Sequence, residues 1–208
     1  MRKTLFILFV LVTASLFLGH PAHCRSRNGS GFRYGLEWGM QMPAVTGFDC
    51  SFITVEKYLV SEKELKYGHH INGIVSGFVG YDVIRRLNIS LFAGYEGLTK
   101  GERGFGSSLR GTAHLSGNPG VSGSSVFLEG GVFWRDGHDL SETAKAGYSH
   151  RINLISFLAL DINCGICLSS SHPDVYDKYS GCMVTKENLG HLRNIAVGPF
   201  LTVALVFK

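Results

Sequence analysis

The chain has 208 residues, 45% hydrophobic and 17% charged, with 27 glycines against 5 prolines. That balance excludes a disordered, collagen-like or low-complexity protein and fits one ordinary domain. The formal charge of +4 falls to about +2 once Arg2 and Lys3 leave with the leader described next, and no basic stripe points to nucleic acid.

Met1-Arg2-Lys3 precede an apolar run from Leu5 to Leu18, and Gly19-His20-Pro21-Ala22-His23-Cys24 follow it. Charged, apolar and small-residue regions in this order make a secretory signal, and the run is shorter than the roughly 20 residues of a spanning helix. Residues 1–24 are therefore expected to be a signal peptide, cleaved after Ala22 or Cys24, and 25–208 the exported domain. Acylation of Cys24, as in a lipoprotein, is the alternative.

No later apolar run reaches helix-spanning length, so this chain can cross a membrane only as a closed barrel. Phe32, Tyr34, Leu36, Trp38 and Met40 alternate with Arg33, Gly35, Glu37, Gly39 and Gln41, the two-residue period of a strand with one apolar face. Weaker alternation follows over 71–81. Leu87, Ile89, Leu91, Ala93 and Tyr95 then oppose Asn88, Ser90 and Glu96. A weak stretch over 107–116 comes next, and Val126, Leu128, Val132 and Trp134 oppose Glu129 and Arg135. After another weak stretch over 143–149, Ile152, Leu154, Leu158, Leu160 and Ile162 oppose Asn153, Asp161 and Asn163; Ile195 to Phe207 closes the series. This gives about eight strands.

Three connections read as short, around 82–86, 117–120 and 149–151, and four as longer, over 42–70, 97–106, 136–142 and 167–192. Alternating short and long connections suit an antiparallel up-and-down transmembrane β-barrel with short periplasmic turns and longer external loops. Aromatic residues gather at strand ends, with Phe32, Tyr34, Tyr81, Tyr148 and Phe207 on one level and Tyr95 and Trp134 on the other, as interfacial girdles do. In a soluble secreted barrel or sandwich the same apolar rows would instead face inward.

In this register Arg33, Glu37, Glu96, Arg110, Glu129, Lys145 and Asp161 face the lumen. Buried charges need partners, so a charge network filling the interior is expected, with a narrow pore as the alternative. His114 and Ser116 share a strand face, and with Glu129 they are weak candidates for nucleophilic catalysis; otherwise no catalytic residue is expected. Cys164, Cys167 and Cys182 are candidates for a disulfide in an oxidising compartment, with metal binding by Cys164-Gly165-Ile166-Cys167 and His172 or His191 a lesser alternative. No metal and no cofactor are expected. The Gly101–Gly106 run lacks the helix of a phosphate loop.

The His-x-Ser pair resembles that of the lipid A deacylases, although Gly117 stands where that family commonly has Asn. More broadly, the leader, Asp82-Val83-Ile84-Arg85-Arg86-Leu87-Asn88-Ile89-Ser90-Leu91, Tyr148-Ser149-His150-Arg151-Ile152-Asn153-Leu154 and the terminal Phe200-Leu201-Thr202-Val203-Ala204-Leu205-Val206-Phe207 resemble small, porin-like outer-membrane β-barrel proteins of Gram-negative bacteria, particularly those of the Bacteroidetes. Lys208 after the terminal aromatic departs from their usual ending. The resemblance implies an outer-membrane location, lipid and lipopolysaccharide as surroundings, insertion by the barrel-assembly machinery, and a non-enzymatic role for the external loops in adhesion, envelope integrity or partner binding. A lipid A-modifying hydrolase, a narrow pore and a soluble carrier are the alternatives.

Overall fold

A computed structural model describes residues 31–208 except 55, 69, 85, 100–101, 116–121, 135–139, 179 and 186. The leader, Cys24 and Ser116 lie outside the described residues. The rest is all β: β1 (Phe32–Gln41), β2 (Val45–Ile53), β3 (Leu59–Tyr67), β4 (Asn72–Ile84), β5 (Leu87–Thr99), β6 (Glu102–His114), β7 (Gly123–Trp134), β8 (Ser141–Ile155), β9 (Leu158–Ser171), β10 (Tyr176–Asp177), β11 (Cys182–Met183) and β12 (Leu189–Phe207). Pairing runs β1-β4-β5-β6-β7-β8-β9-β12, and β12 returns to β1 from Tyr34↔Phe207 to Gln41↔Phe200, which closes an eight-stranded antiparallel barrel.

The alternation of the sequence appears as a division between outside and inside. Along β1, Phe32, Tyr34, Leu36, Trp38 and Met40 are exposed while Arg33, Glu37 and Gln41 are buried. Leu128 and Ile166 are 71% and 61% exposed although Glu37 is only 2% exposed. An apolar exterior around a charged interior inverts the order of a soluble barrel and is that of a strand-built membrane span. Tyr95, Phe105 and Trp134 pair in one row across β5, β6 and β7, making a girdle near the end away from the termini. Tyr34 stacks on Phe207 at the other end, with ring centroids 5.3 Å apart.

The turn expected at 149–151 lies at 156–157 instead. Asn153 pairs with Ala159 and Ile152 with Leu160, so the even-numbered row stays on the lipid face across the turn and the period shows no break there. The longer loop expected over 42–70 is itself structured. Gln41 pairs with Phe200 and Val45 with Val197, leaving three residues of the first strand opposite two of β12. That is a β-bulge at Met42-Pro43-Ala44, fitting for a proline that has no amide hydrogen to give to a ladder. Beyond it β2 continues the line of β1, and β3 folds back beside β2 before the chain re-enters the barrel as β4. With the first half of β12 they form a three-stranded ledge on the rim opposite the termini.

A narrow lumen must also admit rings. Phe78 lies opposite Gly35, Phe133 opposite Gly106 and Phe127 opposite Gly147. A Cβ on Gly35 would strike the Leu205 carbonyl oxygen and come within 2.7 Å of the Phe78 ring; at Gly147 it would come within 2.9 Å of the Phe127 ring. Each ring takes the space of a missing side chain, the cross-strand use of glycine under an aromatic. Gly35→Ala is expected to cost about 1–3 kcal/mol by overpacking, whereas Gly111→Ala, whose Cβ would have nothing within 4 Å, is expected to be neutral. Urea unfolding of both variants in bilayers, followed by heat-modifiable gel mobility, checks the difference.

Candidate functional site: the lumen plug and the rim ledge

The lumen charges meet because register sets them opposite one another. Arg110 on β6 pairs with Glu129 on β7, which pairs with Lys145 on β8, so one wall carries a ladder of alternating sign. Glu37 and Glu96 reach this wall from β1 and β5. The Arg110 guanidinium donates from Nη1 and Nη2 to Glu37 at 2.7 and 2.9 Å, and from Nε to Glu129 at 2.7 Å. Its flat faces lie between two rings, 4.1 Å from the centre of Phe92 and 4.5 Å from that of Phe127. Lys145 Nζ donates to Glu96 at 2.8 Å and stands 3.5 Å from Glu129. Ser108 donates to the second oxygen of Glu129 at 2.8 Å, and Asn163 and Thr202 donate to the same Glu37 oxygens that Arg110 holds, at 3.1 and 3.0 Å.

Toward the terminal rim a second tier holds two ion pairs, Arg33 with Asp82 at 2.6 Å and Arg151 with Asp161 at 2.5 Å. All seven residues read from the sequence as lumen charges are thus inside and in contact with an opposite charge. Small voids lie within this packing. One of about 30 Å³ lies toward the terminal rim and one of about 10 Å³ toward the other, both bordered by Glu37 and Phe92. They have room for about two waters and for one. The layer of Glu37, Arg110 and Phe92 stands between them.

Of the catalytic candidates, His114 and Glu129 are not brought together. His114 pairs in register with Ser125 while Glu129 pairs with Arg110, so four strand steps, about 13 Å, separate them. Glu129 is also engaged with Arg110, Ser108 and Lys145. No described acid orients His114, and its Nε2 has no hydrogen-bond partner among the described residues.

The expected disulfide is not formed. Cys164 and Cys167, three apart on β9, face opposite sides of the wall, Cys164 to the outside and Cys167 to the lumen. Strand alternation forbids a bridge between such positions. Cys182, on β11, is exposed, and all four described cysteines are free. No cluster of three metal-ligating side chains occurs among the described residues.

The ledge was not foreseen as a site, yet it has a core of its own. Cys50 and Phe52 of β2 and Val175 are buried together, with Phe48, Val60, Val184, Leu189 and Leu192 packed around them. Burial pushes the Cys50 thiol up from its ordinary range, with Glu62 adding to the effect, which makes it an inert packing residue. The alternation of Phe48, Cys50 and Phe52 was a readable signal. Val184 donates its amide to the Val175 carbonyl at 2.9 Å, which closes the base of the β10–β11 hairpin, and both side chains pack on the ledge core. The tip leaves Tyr58 and Leu59 67% and 74% exposed.

Arg110→Ala removes the cation shared by Glu37 and Glu129, and the loss is expected to be about 3–5 kcal/mol, the size found when one member of a buried ion pair is deleted. Arg110→Lys keeps the charge but loses the fork and the ring stacking, so it is expected to recover only part of that. Equilibrium unfolding in bilayers measures both.

No family model matches this chain, and no curated protein matches it. Among solved structures it is similar to the crystal structure of the outer membrane protease OmpT from Escherichia coli, at 7% identity and a TM-score of 0.32, over 83% of this chain and 96% of that one.

Proposed function

We propose that this protein is a closed barrel of the outer membrane whose work is done by the ledge it holds at one rim. The observation that carries this reading is the contrast between the two ends of the fold. The lumen is filled by interlocked charges and rings, with voids that hold one or two waters, whereas the rim opposite the termini carries a folded sheet with a separate core. A rigid scaffold presenting an ordered excursion is the usual arrangement for recognition. In this reading the leader exports the chain, the barrel-assembly machinery inserts it, the terminal rim faces the periplasm, and the ledge faces outward above the lipopolysaccharide headgroups. The role is adhesion, envelope integrity or partner binding, without catalysis.

The Gly68 amide donates to the Ala44 carbonyl at 3.1 Å, so residues 45–67 can be excised and the ends joined by a short turn. The shortened protein is expected to keep heat-modifiable mobility and outer-membrane fractionation. Cells carrying it should match cells lacking the protein altogether in surface attachment and detergent sensitivity. If the shortened form restores full-length behaviour in both assays, the ledge has no such role. Unchanged lipid A acylation in His114→Ala cells is expected alongside, since its Nε2 has no hydrogen-bond partner among the described residues.

A further inference from the structure

The plug does not balance. Among the described residues five ionisable side chains form it, and three of them, Glu37, Glu96 and Glu129, are acids against two cations, Arg110 and Lys145. Nearer the terminal rim Arg33 pairs with Asp82 and Arg151 with Asp161, and Lys208 lies close to both of these acids. A single uncompensated charge in a water-poor interior costs several kcal/mol, about as much as the pairs around it contribute.

Two orphaned oxygens mark where the imbalance sits. Glu96 is 1% exposed and uses Oε2 for Lys145, while its Oε1 has no hydrogen-bond partner among the described residues. Gln41 is 3% exposed; its Nε2 donates to the carbonyl of Gly97, the residue after Glu96, and its Oε1 is likewise without a partner. Both orphans are acceptors at the same end of the plug, and two acceptors cannot satisfy each other. One added hydrogen changes that: a carboxyl group becomes a donor on one oxygen and remains an acceptor on the other.

We infer that Glu96 is a proton-binding site, holding a hydrogen on Oε1 at neutral pH, directed to the Gln41 amide oxygen, while Oε2 continues to accept from Lys145. Two acids then face two cations and the plug is neutral. The charged and titratable groups facing Glu96 are Glu37 from β1, Glu129 from β7, Lys145 from β8 and Cys167 from β9. Lys145 opposes the added proton, but it is shared with Glu129, and the two remaining acids favour it. The adjoining void of about 10 Å³ is large enough for one water at most. Such a water could bridge the two oxygens but would leave the excess charge in place.

The sign of the pH effect follows from linkage. A proton held more tightly in the folded barrel than in the unfolded chain stabilises the fold on the acid side, and that stability is lost as pH rises through the titration of the folded site. Infrared spectra of the full protein in nanodiscs, unlabelled and with carbon-13 glutamate, should show at neutral pH one protonated-carboxyl band that shifts with the label. The band should be absent from Glu96→Gln and move in Gln41→Leu. Glu96→Gln, whose amide can donate to Gln41 as the acid does, should keep the parent unfolding temperature at neutral pH and lose its fall at alkaline pH. No such band in the parent at neutral pH overturns the inference, as does a band that survives in Glu96→Gln. The labelled parent alone decides the first point, whether or not the variants assemble.

Discussion

The fold depends on the guanidinium of Arg110. Among the described residues it alone joins the two halves of the lumen by a forked ion pair, Glu37 coming from β1 and Glu129 from the neighbouring β7, and it is clasped by Phe92 and Phe127. The rings lie where they do because glycines stand opposite Phe127 and the neighbouring Phe78. Remove the glycines and the rings cannot lie flat; remove the rings and the guanidinium faces an empty lumen. A buried ion pair of this kind is weak evidence for net stability, since desolvation offsets most of the attraction. Its stronger effect is on register. A slip of one residue in any strand would turn its lumen charge toward lipid, at roughly 2–4 kcal/mol for a midplane Arg or Lys.

The same constraint explains why the barrel end and the ledge divide their tasks. An eight-stranded lumen is just wide enough for its own side chains, so filling it leaves no room for a passage or a substrate. The bulge at Pro43 lets the first strand continue past the barrel as β2, and β12 at 19 residues is long enough to accompany it. The ledge core of Cys50, Phe52 and Val175 is separated from the lumen, so the two can respond independently to substitution.

Much of this was legible in the residues. The apolar row from Phe32 to Met40 and its charged counterpart assigned the faces of β1, and the same parity carried Glu96, Arg110, Glu129 and Lys145 inward. Which charge meets which was not legible, because Arg110 and Glu37 are brought together only by closure of the barrel. The ledge escaped notice for a physical reason: Ser61-Glu62-Lys63-Glu64-Leu65-Lys66 of β3 is exposed on both faces, so it shows no alternation although it forms a strand. The cysteines misled because spacing along a chain says nothing of the side of the wall, and three residues along a strand means opposite sides. Glu129 misled as a catalytic candidate in the same way, since its partner was fixed by register with Arg110 rather than by nearness to His114.

The most direct test of a lumen closed by Arg110 is single-channel recording of the purified protein in planar bilayers. The parent is expected to show no unitary steps, while Arg110→Gly combined with Glu129→Gly, which clears the central layer, is expected to show them. Steady conductance from the parent would contradict a sealed lumen and return the narrow pore as the better description of this barrel.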